Sequence, residues 1–305
     1  MPPSVNYDSP RELRAFLDTQ GLGMRKKFGQ NFLINSAARS RLLDALELQS
    51  GDEVWEIGPG LGAMTAGLLE RGGRVTAFEI DPAFARILKS FFAAELSGPC
   101  PAFRLAEGDV LKTWPVEAAV SPAGEDLFLL GNLPYNIAAA LLADFIERGR
   151  YFRRIVVTVQ REVAMRMAAP PLSADYSSFS VLCSSVYKIT LLHVIKSSCF
   201  YPAPRVDSQG VRLDLLSPKK DMPRYFNPLV RSLFAGRRKT IRNTLSNFTA
   251  SVIMKEPGKS SGPAREKAEE VLNRAGIDGE RRPETLGIDE FAALAVFFEE
   301  IVFHD

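Results

Sequence analysis

The stretch Glu53–Gly62, EVWEIGPGLG, decides the fold of this 305-residue chain. A short apolar run leads into closely spaced glycines and then an amphipathic segment, which predicts a strand, a tight turn and a helix. The pattern recurs downstream, with strands predicted at 74–80, 102–106, 126–131 and 154–159 and helices at 62–71, 82–96 and 137–148. Such alternation, with runs this apolar, is typical of a mostly parallel α/β sheet covered on both faces.

The flanking segments have different patterns. Ser9 and Pro10 begin a capped helix at 9–20, and a second helical period covers 36–48. Later runs at 186–195 and 209–216, joined by a Pro-rich bend, predict an antiparallel hairpin that closes the sheet. After Ser217-Pro218 only helical patterns follow, at 224–235, 238–249, 264–275 and 289–301. We therefore expect an N-terminal extension at 1–24, an α/β domain at 25–217 and a small all-α domain at 218–305.

Composition excludes several classes of protein. Hydrophobic residues make up 46% and charged residues 24%, which are ordinary globular values. No apolar run approaches the ~20 residues of a membrane-spanning helix. Three scattered cysteines and two histidines show no metal-ligand spacing and no complete disulfide framework. We therefore expect no metal, no membrane association and a reducing cytoplasm.

Charge is concentrated in one part of the chain, although the net charge is only +2. Residues 219–255 carry nine Lys or Arg against Asp221 alone, whereas 284–305 carry six acids and no Lys or Arg. A phosphate backbone attracts such a basic segment, because neutralised phosphates release counterions. A solvated helix face explains the charge alone equally well, so charge suggests nucleic acid without proving it.

Three elements at the ends of consecutive strands predict a nucleoside site. Gly58 and Gly60 allow the backbone to approach a ligand, and Pro59 removes a donor that a pyrophosphate would need. Glu79 ends the next strand, where a carboxylate can accept hydrogen bonds from both ribose hydroxyls. After the third strand, Asp109 can accept from an adenine amine while Val110 offers its backbone amide. This combination favours a nucleoside cofactor of the S-adenosylmethionine type.

The fourth strand runs into Gly131-Asn132-Leu133-Pro134-Tyr135-Asn136, which we expect to carry the reaction. The amide oxygen of Asn132 and a backbone carbonyl of Leu133 or Pro134 can accept two hydrogen bonds from one planar amine. That pairing aims the nitrogen lone pair at a methyl group, and Tyr135 can stack on a base. Catalysis would then rest on orientation and on stabilising the positive charge that develops at nitrogen.

Residues 25–305 resemble the KsgA family of small-subunit ribosomal RNA adenine dimethyltransferases. The resemblance rests on motifs in the family's order: Lys27–Leu33, Glu56–Gly62, Glu79–Asp81, Gly108-Asp109, Asn132–Asn136, Phe200–Ser208 and Phe234–Asn243. It implies a Rossmann-like methyltransferase domain that transfers methyl groups from S-adenosylmethionine to N6 of two adjacent adenosines in the 3′-terminal hairpin of 16S rRNA. The enzyme would dimethylate each adenosine and act, as a monomer, on a late assembly intermediate of the 30S subunit.

The resemblance also implies residue roles. Cofactor contacts fall on Gln30, Asn31, Leu33, Gly58, Glu79, Asp109 and Asn132. Phe200 matches an aromatic residue that stacks on the extruded adenine, and the residues facing rRNA match Arg237, Arg238, Lys239 and Arg242. The chain departs from the family at Ala138–Ala140, where Ser-Thr-Pro is usual, and the resemblance implies no role for residues 1–24.

Three other functions remain open. One is a methyltransferase for a single adenosine of 23S rRNA, although Asn132–Tyr135 and the Arg-Arg-Lys-Thr run favour the 16S type. DNA adenine and protein glutamine methyltransferases normally have Pro-Pro-Tyr after the amide or acid, and Leu133 argues against both. The third is a non-catalytic ribosome assembly factor on the same scaffold.

Overall fold

The computed structural model describes residues 5–22, 31–121, 124–134, 137–218, 222–236, 238–254 and 264–303. It contains two compact units, Met1–Ala164 with Lys188–Leu215 and Met165–Tyr187 with Leu216–Asp305. The predicted boundary near residue 217 lies close to the division at 215–216. Residues 165–187, which the sequence pattern assigned to the α/β domain, belong to the second unit, and the N-terminal segment belongs to the first.

The first unit is built on a seven-stranded sheet, all of whose strands lie within two residues of their predicted bounds. The strands are β2 (Glu53–Ile57), β3 (Arg74–Glu79), β4 (Phe103–Glu107), β5 (Phe128–Asn132), β6 (Arg154–Gln160), β7 (Tyr187–Ile195) and β9 (Ser208–Leu215). Their order is β4-β3-β2-β5-β6-β9-β7. Strands β4, β3, β2, β5 and β6 are parallel, and β9 runs antiparallel to β6. The predicted parallel sheet with an antiparallel closing segment is confirmed.

Strand order explains where a site can form. From β2 the sheet extends in both directions: β3 and β4 follow on one side, and β5 and β6 follow on the other. Open parallel sheets bind ligands beyond the carboxyl ends of the strands at such a point. The glycine turn after β2, Glu79 at the end of β3 and Asn132 at the end of β5 therefore lie at the same edge.

Helices cover the sheet. Those of the first unit are α1 (Pro10–Thr19), α2 (Ser36–Leu46), α3 (Ala63–Glu70), α4 (Pro82–Phe91), α5 (Val110–Val120) and α6 (Ala138–Glu147), and the division between the units falls within α7 (Arg161–Met167), after Ala164. One core cluster joins α2 and α3 to the sheet through residues such as Leu42, Leu46 and Leu68. An aromatic cluster holds Trp55 against Phe145 and Phe152. Helix α5 was not predicted, because Pro115 in its interior argues against a helix.

Two further strands of two residues each form a separate sheet. β1 (Phe32–Leu33) pairs antiparallel with β8 (Phe200–Tyr201). Strands this short have no readable periodicity, so the sequence did not predict them. Their pairing fixes the segment that begins at Asn31 beside the carboxyl edge of the large sheet.

The second unit is helical. It contains α8 (Ser178–Ser184), α9 (Phe226–Phe234), α10 (Ile241–Ile253), α11 (Ala264–Ala275) and α12 (Ile288–Phe303). Its own apolar core includes Phe226, Leu245, Leu272, Phe291 and Phe298, all of them buried. The predicted all-α C-terminal region is confirmed. None of the helices in the described ranges has the length and apolar character needed to cross a bilayer.

Candidate active site

A cavity of about 310 Å³ opens at the carboxyl edge of the sheet, entirely within the first unit. Its size is in the range of pockets that bind nucleoside-sized ligands. The predicted cofactor residues that line it are Asn31, Leu33, Gly58, Gly60, Glu79, Asp109, Val110 and Asn132, together with Pro134. The sequence motifs on separate strands therefore meet around one cavity.

The glycine turn brings the backbone close to a neighbouring aromatic ring. Gly60 has a φ of +58°, and a Cβ atom there would lie 2.9 Å from the Phe32 ring. An L side chain at this position would be strained twice, by its backbone conformation and by contact with Phe32. The turn thus needs glycine, and its backbone forms one wall of the cavity.

Glu79 is held by backbone amides at the end of β3. Its Oε1 accepts from the Asp81 amide at 2.8 Å, and its Oε2 accepts from the Gly60 amide at 3.3 Å. Burial raises the pKa of Glu79 to about 7, against the lowering effect of these two amides. A carboxylate in this position retains acceptor capacity for a pair of hydroxyls.

Glu56 is a second buried acid, two residues before Gly58. Its Oε2 accepts from the Thr65 hydroxyl at 2.6 Å, whereas its Oε1 has no hydrogen-bond partner in the described part of the chain. Burial raises the pKa of Glu56 to about 7, and the neighbouring Glu79 contributes to the increase. An unsatisfied buried carboxylate oxygen is costly, and Glu56, which is fully buried, is not among the residues that line the cavity.

Asp109 both caps a helix and lines the cavity. Its side chain accepts from the Leu111 amide at 3.1 Å and so begins α5. A carboxylate has further acceptor sites, so this cap is compatible with a hydrogen bond from an adenine amine. Val110, the first residue of α5, is buried beside it.

The side-chain amide of Asn132 is oriented from two sides. Its Nδ2 donates to the Asn31 carbonyl at 2.7 Å, and its Oδ1 accepts from the Thr158 hydroxyl at 2.5 Å. Thr158 stands directly opposite Asn132 in the β5–β6 register and is fully buried. These contacts fix which end of the amide is oxygen, and they leave Oδ1 a second lone pair.

The two candidate carbonyls of the Asn-Leu-Pro turn are not equivalent. The Pro134 carbonyl accepts from the backbone amides of Ile137 and Ala138, at 3.0 and 3.1 Å. These bonds supply the start of α6, which has no side-chain cap. Within the described ranges, no donor contacts the Leu133 carbonyl. The Pro134 carbonyl is therefore already engaged at the start of α6, and the Leu133 carbonyl is the better acceptor for an incoming amine.

The predicted RNA-contacting residues have mixed surroundings. Phe200 is only 3% exposed and packs in the core with Leu33, so the structure does not offer its ring for stacking on a base. Arg238 and Lys239 are exposed. Arg242 forms ion pairs with acids of its own unit, Glu269 at 3.1 Å and Glu280 at 3.5 Å. Its charge is therefore partly neutralised, which weakens the prediction that it faces RNA.

Three of the predicted site residues lie outside the described residues: Gln30, Tyr135 and Arg237. Sequence reasoning in turn missed three residues beside the site. Thr158 orients Asn132, and Arg39 and Tyr7 line the cavity. The position of Thr158 on the strand next to β5 was the available signal for that residue, whereas Tyr7 and Arg39 lie outside every motif. In the described ranges, no cluster of three or more metal-ligating side chains is present.

A glycine turn, a carboxylate at the next strand end and an oriented asparagine on a parallel sheet define a Rossmann-like methyltransferase domain. Solved structures share this fold: a dimethyladenosine transferase from Plasmodium falciparum (TM-score 0.72, 24% identity, 88% of this chain and 97% of that one) and the 23S rRNA methyltransferase ErmE (TM-score 0.59, 22% identity, 88% and 99%).

Sequence comparison identifies the family. The model of the ribosomal RNA adenine dimethylase family matches residues 21–261. Proteins named ribosomal RNA small subunit methyltransferase A are 42% identical in Treponema denticola, over 95% of this chain and 94% of that protein, and 35% identical in Borreliella burgdorferi, over 96% and 95%. The chain belongs to the ribosomal RNA adenine dimethylase family.

Proposed function

We propose that this enzyme transfers methyl groups from S-adenosylmethionine to N6 of two adjacent adenosines in the 3′-terminal hairpin of 16S rRNA, dimethylating each. The observation that carries the proposal is the oriented amide of Asn132 beside a nucleoside-sized cavity. We further propose that it acts as a cytoplasmic monomer on immature 30S subunits. Relatives that cover nearly the whole chain are named small subunit methyltransferases, which supports this choice of substrate.

The cavity suits S-adenosylmethionine. Glu79 would accept the ribose hydroxyls, while Asp109 and the Val110 amide would hold the adenine. The rest of the molecule would be contacted by Gly58, Gly60, Asn31 and Leu33, all of which line the cavity, and we propose a further contact from Gln30, which precedes Asn31 in the sequence. When bound, S-adenosylmethionine supplies a methyl group made electrophilic by the sulfonium.

The chain's own residues would position the target amine. Asn132 Oδ1 and the Leu133 carbonyl accept its two hydrogens, which turns the nitrogen lone pair toward the methyl group. The same two oxygens stabilise the positive charge that develops on nitrogen. Pro134 holds the turn rigid, and Tyr135 would stack on the adenine after the base leaves its helix. No side chain needs to act as a strong base.

The helical unit would supply affinity for rRNA. The exposed Arg238 and Lys239, with Arg237 beside them in sequence, would contact phosphates and recognise the shape of the folded RNA. Arg242 contributes less, because Glu269 and Glu280 already pair with it. We do not extend the stacking role to Phe200, whose ring is buried.

The test is mass spectrometry of 16S rRNA after undermethylated 30S particles are incubated with the protein and labelled S-adenosylmethionine. We expect two adjacent dimethyladenosines in the 3′-terminal hairpin, and none when free 23S rRNA is the substrate. Methylation of 23S rRNA alone would contradict the proposal and favour the 23S enzyme. Failure to bind S-adenosylmethionine in calorimetry would favour a non-catalytic assembly factor.

A further inference from the structure

The N-terminal segment, defined here as residues 5–22, belongs to the first unit and packs beside the cavity. Neither the motifs nor the family resemblance gives it a role. Leu13 and Leu17, on one face of α1, are buried in a cluster with Leu61 of the glycine turn and Phe84 of α4. The segment therefore has its own apolar anchor, and that anchor includes residues that line the cavity.

Two of its side chains form part of the cavity wall. Tyr7 and Leu13 both line the cavity. The Tyr7 hydroxyl donates to the Leu61 carbonyl at 2.9 Å. A tyrosine hydroxyl is protonated at neutral pH, and burial raises the pKa of Tyr7 further, so the hydroxyl is a donor there. This bond ties the N-terminal segment to the glycine turn that we propose holds the methyl donor.

A third side chain acts through a buried cation. Asp8 accepts from Arg39 Nη2 at 2.5 Å, and Arg39 Nη1 donates to the Leu33 carbonyl at 2.7 Å. Arg39 is 9% exposed and lines the cavity. A buried guanidinium needs a counter-charge, and without one it would be drawn toward solvent. Asp8 thus holds Arg39 against the Leu33 carbonyl of strand β1, and both residues of β1 line the cavity.

From these contacts we infer that the N-terminal segment completes the methyl-donor cavity, with Tyr7 and Asp8 as positioning residues that set the affinity for S-adenosylmethionine. Tyr7 fixes the glycine turn, and Asp8 fixes β1 through Arg39. The inference rests on the proposed function, since it assigns the cavity to the methyl donor. It adds a role for residues outside every recognised motif.

Calorimetry of S-adenosylmethionine binding to the full-length protein tests the inference, at a temperature where all variants are folded. We expect Tyr7→Phe, which removes the hydroxyl donor, and Asp8→Asn, which removes the counter-charge of Arg39, each to raise the Kd by roughly threefold to tenfold. Deletion of residues 1–22 should raise it by more than tenfold. The matched control is Arg14→Gln on the solvent face of α1, where Arg14 is 73% exposed, and its Kd should equal that of the wild type.

Two further measurements separate positioning from general stabilisation. With Tyr7→Phe, the KM for S-adenosylmethionine should rise while kcat at saturating donor stays within about twofold. A residue that only stabilises the fold would lower the unfolding midpoint without changing the Kd. An unchanged Kd in both point variants, with normal wild-type binding, overturns the inference. Absence of S-adenosylmethionine binding by the wild type would instead refute the proposed function. If the deletion variant does not fold, the Kd values of the two point variants are sufficient to test the inference.

Discussion

Replacing Thr158 by Val should impair catalysis although no motif includes this residue. The Thr158 hydroxyl donates to Asn132 Oδ1 at 2.5 Å, and the side chain is fully buried beneath the turn. Valine keeps the branched shape and the backbone pairing of β6, so the sheet should remain folded. What disappears is one of the two hydrogen bonds that orient the Asn132 amide.

The expected magnitude follows from the one hydrogen bond that is lost. In Thr158→Val, only the Asn31 carbonyl, 2.7 Å from Asn132 Nδ2, still selects the productive amide orientation. A hydrogen bond of this kind contributes about 0.5–1.5 kcal/mol net, so kcat should fall roughly threefold to tenfold. Thr158→Ser is the matched control, because serine keeps the hydroxyl and should keep most of the activity.

The assay is single-turnover methylation of undermethylated 30S particles, combined with the Asn132→Ala background. If Thr158 acts only through Asn132, Thr158→Val should cause no further loss once the amide is gone. An equal loss in both backgrounds would show that Thr158 acts on the fold or elsewhere in the site. Full activity of Thr158→Val would refute the orienting role of its hydroxyl.

Three other perturbations test separate parts of the structure. Asn132→Ala should lower kcat at least ~100-fold while the protein remains folded at the assay temperature, and methylation at the wild-type rate would contradict its role. Burial raises the pKa of Glu56 from 4.5 to about 7, so the folded state of the wild type loses stability as the pH rises between those values. The free energy of unfolding of Glu56→Gln, measured with urea, should therefore increase relative to that of the wild type by roughly 2–3 kcal/mol between pH 5 and pH 8. A difference in unfolding free energy that does not change with pH would exclude the raised pKa of Glu56. Arg238→Gln with Lys239→Gln should reduce the salt dependence of rRNA binding by roughly one unit of slope for each phosphate that is no longer neutralised, whereas the exposed control pair Arg11→Gln and Arg265→Gln should leave it unchanged.

The large sheet could be predicted from sequence because its strands are long apolar runs bounded by turn residues. The glycine turn and Glu79 were also predictable, since both lie at strand ends, where ligands bind in a parallel sheet. Helix α5 could not be predicted in the same way, because a proline in its interior, Pro115, argues against a helix. Strands β1 and β8 could not be predicted either. Each has only two residues, too few to show an alternating pattern, and their pairing joins distant parts of the chain.

The buried charges show a second limit of the sequence. Arg39 is the fourth residue of α2, and its polar neighbours Ser40 and Arg41 are typical of a solvent-exposed position. Only the fold brings Asp8 to it, from 31 positions away. Phe200 is the opposite case, because an aromatic residue in a family motif suggested stacking while the pairing of β8 with β1 buries its ring. The exposure and ion pairing of a side chain depend on how the whole chain packs, and this also holds for residues in family motifs.

The same reasoning applies to the residue on which the chemistry depends. The Asn-Leu-Pro turn identifies which group accepts the amine, but it does not determine which way the Asn132 amide faces. That direction depends on Thr158, 26 positions later, and on Asn31, 101 positions earlier. An amide turned by 180° would present Nδ2 to the incoming amine and repel it. An intact motif is therefore not sufficient for activity, and a family member that lacks a donor opposite the asparagine must orient the amide by other contacts.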